Sequence, residues 1–276
     1  MIAPGSRYVA LGSSYAAGRG IRPIIHLGAL RSGRNYPHQV AQSLSLQLTD
    51  VTCSGATTAN ILDTPQRTLS GTLPPQVSAV TPDTRLVTIT AGGNDAGYIG
   101  ALTKLSMANA AGRRIPGLHP RISAWLADWA GTLPPPSQFV QVADSLARIV
   151  EAVRSRAPEA QVVLVDYLTV VETGASGAAG SGRGRLPLTP EQVRQAEVAG
   201  AGLAAAFERA ASVTGAGLVG ASAASAGHSA GSAAPWVTGL RFGNPLTGPV
   251  PWHPTLAGAS AIARLVVEYL SGSPTP

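Results

Sequence analysis

Cysteine is nearly absent from the chain, since Cys53 is the single one among 276 residues. One cysteine excludes an internal disulfide and weakly favours a reducing compartment. Lysine is as scarce, because Lys104 is the only lysine among 20 basic residues. Long apolar runs are also missing: the longest candidate, 162–171, is interrupted by Asp166 and is typical of a buried strand. A membrane-spanning helix needs roughly eighteen apolar residues, so we expect no stable membrane insertion.

Charged residues are few, at 12% of the chain, yet the net charge is +6. A positive surplus can indicate nucleic acid or an anionic membrane as a partner. The arginines are scattered, with few close pairs such as 113–114 or 183 and 185, and no aromatic residues interleave with them. A stacking platform for bases is therefore missing, and we expect no nucleic-acid partner.

The N-terminus has no charged-then-apolar leader, because the run at 8–11 already has the pattern of a first strand. We interpret this as an export signal that was removed or never existed. Together with the single cysteine, it favours a cytoplasmic location. Secretion stays open if a leader was removed.

Short apolar runs alternate with longer amphipathic segments along a chain that is 45% apolar. We predict strands at 8–11, 46–52, 85–90, 161–165 and 217–220, and helices at 35–44, 139–156, 189–212 and 255–270. Such alternation predicts an α/β fold with a parallel sheet covered on both faces. In helix 139–156 we assign one apolar face to Val140, Val142, Leu146, Ile149, Val150 and Val153.

Three stretches break this alternation, at about 102–138, 172–188 and 222–252. Loops this long in a compact domain tend to be functional or mobile, so we interpret them as insertions in a single domain of residues 1–276. The first stretch contains apolar residues at helical spacing, namely Ile122, Trp125, Leu126 and Trp129. They predict either a small helix near a pocket or a surface helix packed on the core.

The block Gly12-Ser13-Ser14 directly follows the first predicted strand. A serine in a tight turn between strand and helix has an exposed hydroxyl, and the helix N-terminus offers backbone N–H groups to an oxyanion. Ser14 fits the place of a nucleophile better than Ser13, because the preceding residue completes the turn. Taken alone, such a block is more often only a turn.

Two further blocks offer hydrogen-bond donors at the ends of the next strands. Gly55 allows a backbone N–H to approach a substrate closely, and Asn94, after Gly92-Gly93, carries a neutral amide donor. Asn94 can equally serve only as a residue that favours a left-handed turn. In a parallel sheet these strand ends open on one edge, where such folds bind ligands. Their convergence with Ser14 is therefore expected.

His253 precedes Pro254 and the start of the last predicted helix. At such a cap the helix dipole disfavours the imidazolium, so the ring is expected to stay neutral and take a proton from Ser14. The other histidines lack metal-ligand spacing, and we interpret them as surface or loop residues: His26, His38, His119 and His228. No metal or organic cofactor is implied.

These blocks, in this order, resemble the GDSL or SGNH hydrolase superfamily, and specifically its esterase and lipase members. The likeness extends over nearly the whole chain and includes Arg31-Ser32 with Asn35-Tyr36-Pro37 and the block 222–236. It implies a flavodoxin-like three-layer α/β/α sandwich with a central parallel sheet. It also implies Ser14 as nucleophile and His253 as base. The implied oxyanion hole consists of the Ser14 and Gly55 amides and the Asn94 side chain.

The sequence departs from this family where the triad acid is expected, since Val250 occupies the position three residues before His253. No Asp follows Asp166. We therefore predict a Ser-His dyad in which the backbone carbonyl at Val250 accepts the Nδ1 proton. A carbonyl preserves the tautomer whose loss explains much of the roughly 10⁴-fold effect of replacing a triad Asp by Asn. Asp95 or Asp166 as a remote acid is the competing possibility.

Two other positions differ from the family pattern. Ser13 replaces the Asp that usually precedes the nucleophile, and its hydroxyl can supply part of the turn-stabilising role. Relatives in the extracellular branch form a disulfide at the position of Cys53. Here its expected partner near 29–30 is missing and Gly231 replaces another cysteine, so Cys53 is expected to be a free, buried thiol.

The resulting hypothesis is hydrolysis of a small-molecule or lipid carboxylic ester through an acyl-enzyme on Ser14. The alternatives are an acyltransferase, a lactone, thioester or sugar-acetate hydrolase using the same site, and a weakly active binding relative. Four tryptophans either line an apolar pocket or pack in the protein: Trp125, Trp129, Trp236 and Trp252.

Overall fold

A five-stranded parallel sheet is the centre of the computed structural model, which describes residues 2–114, 120–174, 186–244 and 246–272. In chain order the described strands are β1 (Arg7–Gly12), β2 (Ile24–His26), β3 (Arg31–Ser32), β4 (Gln47–Asp50), β5 (Gln66–Thr68), β6 (Gly71–Leu73), β7 (Thr84–Thr90), β8 (Gln161–Val165) and β9 (Gly217–Val219). The described α-helices are α1 (Ser14–Ala17), α2 (Tyr36–Leu44), α3 (Thr58–Leu62), α4 (Tyr98–Arg114), α5 (Pro120–Ala130), α6 (Phe139–Arg156), α7 (Pro190–Thr214), α8 (Ala221–Ala224) and α9 (Leu256–Leu270).

The strand order is β4-β1-β7-β8-β9, and every neighbouring pair is parallel. From β1 the chain moves outward to β4 and then returns to the other side of β1 as β7. This is the flavodoxin-like order, whose ligand crevice lies where the direction of winding reverses, at the carboxyl ends of the strands. Gly12 pairs with Thr90, so β1 and β7 end level with each other at that point.

Helices cover both faces of the sheet, which confirms the predicted three-layer α/β/α sandwich. Helix α2 packs against α9, while α6 packs against α3 and α7. The inner strands are buried on both faces, as a covered parallel sheet requires. One buried polar pair joins β1 and β7: the Tyr8 hydroxyl lies 2.7 Å from Thr88 Oγ1, and both side chains are fully buried.

The predicted apolar face of α6 is correct except at Val140, which is 50% exposed. Residues two positions apart in a helix differ by about 200° around its axis, so Val140 cannot share the face of Val142. Phe139 is buried instead. Helix α7 begins where expected, because Thr189 caps it and its side chain accepts a hydrogen bond from the Gln192 amide.

The stretch 102–138 contains most of α4 and all of α5. Ile122 and Trp125 are largely exposed, and α5 packs on α4. Trp129 lies next to Lys104, with the ammonium 5.8 Å from the ring centre. The glycine-rich residues 175–185 and His119 lie outside the described residues. None of the described helices combines the length and the apolar character needed to cross a bilayer.

Candidate active site

Ser14 is the first residue of α1 and follows the tight turn that ends β1. Gly12 in this turn has φ +156°, and a Cβ there would lie 2.6 Å from the Thr90 carbonyl oxygen, so only glycine fits. The buried side chain of Gln76 binds both backbone groups of Gly12, at 2.7 Å to the amide and 3.0 Å to the carbonyl. No sequence pattern identifies Gln76, because its role depends on a contact 64 residues away along the chain.

Ser14 and His253, 239 positions apart, are in direct contact: Ser14 Oγ lies 2.8 Å from His253 Nε2. The other ring nitrogen, Nδ1, lies 2.7 Å from the backbone carbonyl oxygen of Pro251. A carbonyl can only accept, so Nδ1 carries the proton and Nε2 presents its lone pair to the Ser14 hydroxyl. Acyl transfer requires a hydrogen bond of this kind between a nucleophile and its base.

The prediction that the Val250 carbonyl orients the histidine is wrong by one residue. The Val250 oxygen accepts a hydrogen bond from Thr238 Oγ1 instead, at 2.5 Å. The reason is the backbone of Trp252, whose φ of +62° turns the chain so that the carbonyl of Pro251 lies beside the imidazole. The side chain of a triad Asp three residues before a histidine reaches its ring, whereas the backbone oxygen of that same residue points elsewhere here.

Neither candidate for a remote acid contacts the imidazole. Asp95 accepts hydrogen bonds from the Thr58 amide and hydroxyl, at 3.1 and 2.6 Å, and so fixes the start of α3. Asp166 accepts from the amide and hydroxyl of Ser222. Burial raises the pKa of Asp166 to about 6, although the Ser222 hydrogen bonds act in the opposite direction. Both carboxylates are therefore structural anchors for other elements.

Burial lowers the pKa of His253 to about 4, and the positive charge of Arg19 acts in the same direction. The hydrogen bond to Pro251 acts against them and raises the pKa. The neutral ring was predicted, but the predicted cause was wrong. The residue that caps α9 is Thr255, two positions after His253, so desolvation rather than the helix dipole dominates.

Tyr15 fixes the turn that carries the histidine. Its hydroxyl donates a 2.6 Å hydrogen bond to the Trp252 carbonyl, and its ring centre lies 5.5 Å from that of His253. Trp252 itself is fully buried, so it packs in the core rather than lining a pocket. Because Tyr15 is adjacent to Ser14, one segment positions both halves of the pair. The adjacency of Tyr15 and Ser14 is visible in the sequence and is the signal that points to Tyr15.

The loops after β1, β4 and β7 meet at one edge of the sheet. The Cys53 amide donates to the Gly12 carbonyl at 3.0 Å, and the Ser13 amide donates to the Thr90 carbonyl at 2.9 Å. Asn94 Nδ2 donates to the Ala56 carbonyl at 2.8 Å, which joins the asparagine to the loop that contains Gly55. The predicted convergence of these blocks is therefore present.

Donors at this edge remain available to a ligand. Gly55 has φ +83°, which places its amide in a conformation that other residues rarely adopt. Among the described residues, the amides of Ser14 and Gly55 have no hydrogen-bond acceptor. The side-chain NH₂ group of Asn94 carries two protons, and the hydrogen bond to the Ala56 carbonyl uses one of them. Three donors at this edge, the amides of Ser14 and Gly55 and one proton of the Asn94 side chain, thus have no acceptor among the described residues.

Ser13 stabilises the turn through Tyr167, in the segment after β8, rather than by capping α1. Its hydroxyl lies 3.0 Å from the Tyr167 hydroxyl oxygen, which also accepts a 3.2 Å hydrogen bond from the Gly93 amide. Gly92 is required here, since a Cβ would lie 2.3 Å from Val142 Cγ1. This network links the nucleophile turn to the Asn94 turn and supplies what the missing Asp was expected to provide.

The remaining residues of interest take structural positions. His38 lies 3.4 Å from Asp50, and His228 stacks on Trp236 with ring centres 4.1 Å apart. Cys53 is free and buried, as predicted, and packs in a small cluster with Ala29. Burial raises the pKa of the Cys53 thiol to about 11, so the thiol stays protonated at neutral pH.

Comparisons by sequence and by structure both relate this chain to lipases of one family. The family described as GDSL-like Lipase/Acylhydrolase matches residues 10–261. Lipase 2 of Streptomyces coelicolor is 34% identical over 270 residues, which cover 95% of this chain and 85% of that protein. The crystal structure of an extracellular lipase from Streptomyces rimosus aligns with TM-score 0.68 and 25% identity over 98% of this chain and all of that one. Phospholipase A1 from Streptomyces albidoflavus, with TM-score 0.69 and 24% identity over the same shares of the two chains, has the same fold.

Proposed function

Because the chain belongs to the GDSL-like lipase/acylhydrolase family and is a carboxylic ester hydrolase, we propose that it cleaves its substrate through an acyl-enzyme on Ser14. The observation that carries this proposal is the 2.8 Å contact between Ser14 Oγ and His253 Nε2. We further propose that residues 1–276 form a single catalytic domain, since the family match extends over nearly all of it.

In the first step, Ser14 Oγ attacks the ester carbonyl carbon while Nε2 of His253 takes the hydroxyl proton. The carbonyl oxygen becomes an oxyanion, which the amides of Ser14 and Gly55 and the side chain of Asn94 stabilise by hydrogen bonds. Collapse of this intermediate breaks the bond to the alcohol oxygen, and the imidazolium returns its proton to the leaving alcohol.

In the second step, His253 takes a proton from water, and the hydroxide attacks the acyl carbon. A second oxyanion forms in the same hole and collapses, which breaks the bond to Ser14 Oγ and releases the acid, while the imidazolium of His253 returns its proton to Ser14 Oγ. Throughout the cycle the Pro251 carbonyl holds Nδ1–H, so the productive tautomer is retained. An alcohol in place of water would give acyl transfer by the same steps, and product analysis with an added alcohol distinguishes the two reactions.

Labelling with a fluorophosphonate tests the proposed nucleophile. We expect one equivalent of probe per chain, attached to the peptide that contains Ser14, and loss of p-nitrophenyl acetate hydrolysis in step with labelling. The Ser14→Ala variant should stay unlabelled. Attachment to Ser13, or full labelling without loss of turnover, would contradict the proposal.

The pH dependence of kcat/KM for p-nitrophenyl acetate should show an acid limb near pH 4. His253 must be neutral to accept a proton, and its pKa is lowered to about 4, so activity persists below the usual histidine pKa of 6.5. The profile of kcat/KM reports the pKa of the free enzyme. An acid limb near 6.5 would show that His253 is not the buried base.

Circular dichroism at each pH provides the control for unfolding. The folded pKa of His253 is below the unfolded value, so the unfolded chain binds a proton first as the pH falls from 6.5 towards 4. The contribution of this residue to stability is therefore complete above 6.5 and is lost through that interval. Activity must be compared only where the chain remains folded.

A further inference from the structure

A cavity of about 330 Å³ lies beside the loop that carries His253. Its walls include Arg19, Arg22 and Arg34, together with Val250 and Pro254 from the histidine loop. We infer that this cavity is a binding site for an anionic group of a ligand, either a phosphate or a carboxylate. The inference rests on the proposed function only in those experiments that detect anion binding through ester hydrolysis, with His253 as the base.

The arginines of this cavity have unused donors. Arg19 Nε is shielded from solvent and has no acceptor, and within the described part of the chain neither the Arg19 nor the Arg34 side chain forms a hydrogen bond or ion pair. Among the described residues, the Arg22 guanidinium donates hydrogen bonds to Thr247, at 2.9 Å to its hydroxyl and 3.3 Å to its carbonyl oxygen. A buried N–H without an acceptor is unfavourable, and an anion would remove that penalty.

The charge around the cavity has a single sign. None of the described residues that line it is acidic, so the three guanidinium groups have no carboxylate in the cavity wall. Thr255 and Leu256, also in the wall, are the cap and first residue of α9, a helix of 15 residues whose N-terminus adds partial positive charge. Guanidinium groups bind phosphate and carboxylate oxygens in pairs, so the cavity fits such a ligand rather than a neutral one.

Arg19 connects this cavity to the catalytic pair. Its amide donates to the Ser14 carbonyl at 3.2 Å, and a Cβ on the following residue, Gly20, would lie 2.7 Å from the Gly248 carbonyl oxygen. The segment after α1 therefore abuts the segment that leads to His253. The Arg19 charge lowers the pKa of His253.

An anion in the cavity should offset that charge and raise the pKa of the base. The other groups that face His253 do not obscure this effect. Ser14 and the Pro251 carbonyl carry no charge, and burial raises the pKa of Tyr15 well above its usual value, so Tyr15 stays neutral. Arg19 is thus the charged group whose neutralisation the base would report.

Inorganic phosphate is the probe, because dihydrogen phosphate remains an anion through the acid limb. We measure the pH profile of kcat/KM for p-nitrophenyl acetate at constant ionic strength and increasing phosphate concentration. We expect phosphate to move the acid limb towards neutral pH, and this shift should reach a maximum at high phosphate. Turnover on that limb should fall several-fold. In Arg19→Gln, the acid limb should lie at a higher pH than in the wild type without phosphate, and added phosphate should no longer move it. Arg34→Gln, at an exposed residue whose loss leaves the fold intact, should weaken phosphate binding about tenfold.

Arg209→Gln is the matched control, because Arg209 is an exposed arginine on α7 away from the cavity. An unsaturable phosphate effect, or an effect equal in Arg34→Gln and Arg209→Gln, would overturn the inference. Calorimetric titration of phosphate into the wild-type chain and Arg34→Gln measures binding without any turnover. A failure of the proposed function, seen as no ester hydrolysis, therefore remains distinguishable from a failure of the anion site.

Two matched lipids identify the source of the anion. Dioctanoyl phosphatidate and dioctanoyl glycerol, each in neutral detergent micelles, share acyl chains and differ in the phosphate. If the substrate carries the anion, Arg34→Gln should raise KM about tenfold for phosphatidate and leave KM for the glycerol unchanged. If the anion is free, both lipids should respond equally to the variant while phosphate still shifts the acid limb.

Discussion

Ser14→Ala should lower kcat for ester hydrolysis by a factor on the order of 10⁴–10⁶, as expected when an acyl-enzyme nucleophile is lost. The methyl group cannot attack the carbonyl, while the oxyanion donors and the binding surface remain. His253→Ala should produce a loss of similar size, because Ser14 Oγ donates to His253 Nε2 at 2.8 Å and needs that base.

The double variant Ser14→Ala with His253→Ala distinguishes a working pair from two independent contributions. If the two residues act as a unit, the second replacement adds almost nothing to the first. Steady-state kinetics of the three variants with p-nitrophenyl acetate measures this directly. Losses that multiply would contradict the dyad.

Ser13→Ala is the matched control for the same experiment. Ser13 is as buried as its neighbour and makes a 3.0 Å hydrogen bond to Tyr167, so its loss should lower stability by about 1 kcal/mol. We expect less than a tenfold change in kcat, because the Ser13 hydroxyl does not contact the imidazole. A loss as large as that of Ser14→Ala would assign the nucleophile to the wrong serine.

The parts of this architecture that local patterns encode could be predicted from the sequence. Apolar runs and caps located the strands of the sheet and the start of α7 at Thr189, and the resemblance to one family ordered Ser14, Asn94 and His253 along a single edge. Val140 is apolar but lies on the exposed side of α6, so apolar character alone did not assign it to the correct face. The small hairpins β2–β3 and β5–β6 were missed because their few residues carry too short a pattern to detect.

What could not be predicted depends on contacts between distant segments. The use of the Pro251 carbonyl follows from the left-handed backbone of Trp252, a conformation that no local rule assigns to tryptophan. Tyr15 and Gln76 position the site through partners far away along the chain. The low pKa of His253 is set by its depth in the folded protein, which no single motif reveals.

A carbonyl in place of a carboxylate changes which group stabilises the transition state. Pro251 fixes the tautomer but offers only a dipole to the imidazolium that forms during attack, so less ionic stabilisation is available than in a triad. The burial that lowers the pKa of His253 makes this imidazolium still less favourable. The proposed oxyanion donors must therefore supply a large share of the stabilisation, and their removal is the more informative experiment.

Asn94→Ala should lower kcat by about 10²–10³ with little change in KM, the usual effect of removing one oxyanion donor. The effect falls on kcat because the donor strengthens its hydrogen bond only when the carbonyl oxygen gains charge. Asn94→Asp should lose at least as much, since a carboxylate of the same shape has no N–H and repels the oxyanion. Steady-state kinetics with a soluble ester checks both variants.

The control for this last experiment must separate lost donation from lost structure, because Asn94 Nδ2 also holds the loop of Gly55 through the Ala56 carbonyl. Asp95→Asn, at the adjacent residue, weakens the anchor on Thr58 without touching the donor. It should lower the melting temperature by a few degrees and keep kcat within a factor of about three, since a charged hydrogen bond contributes about 1.5–3 kcal/mol. If Asn94→Ala instead raised KM with kcat unchanged, or matched Asp95→Asn in both quantities, Asn94 would be a loop anchor and the hole would consist of the two backbone amides.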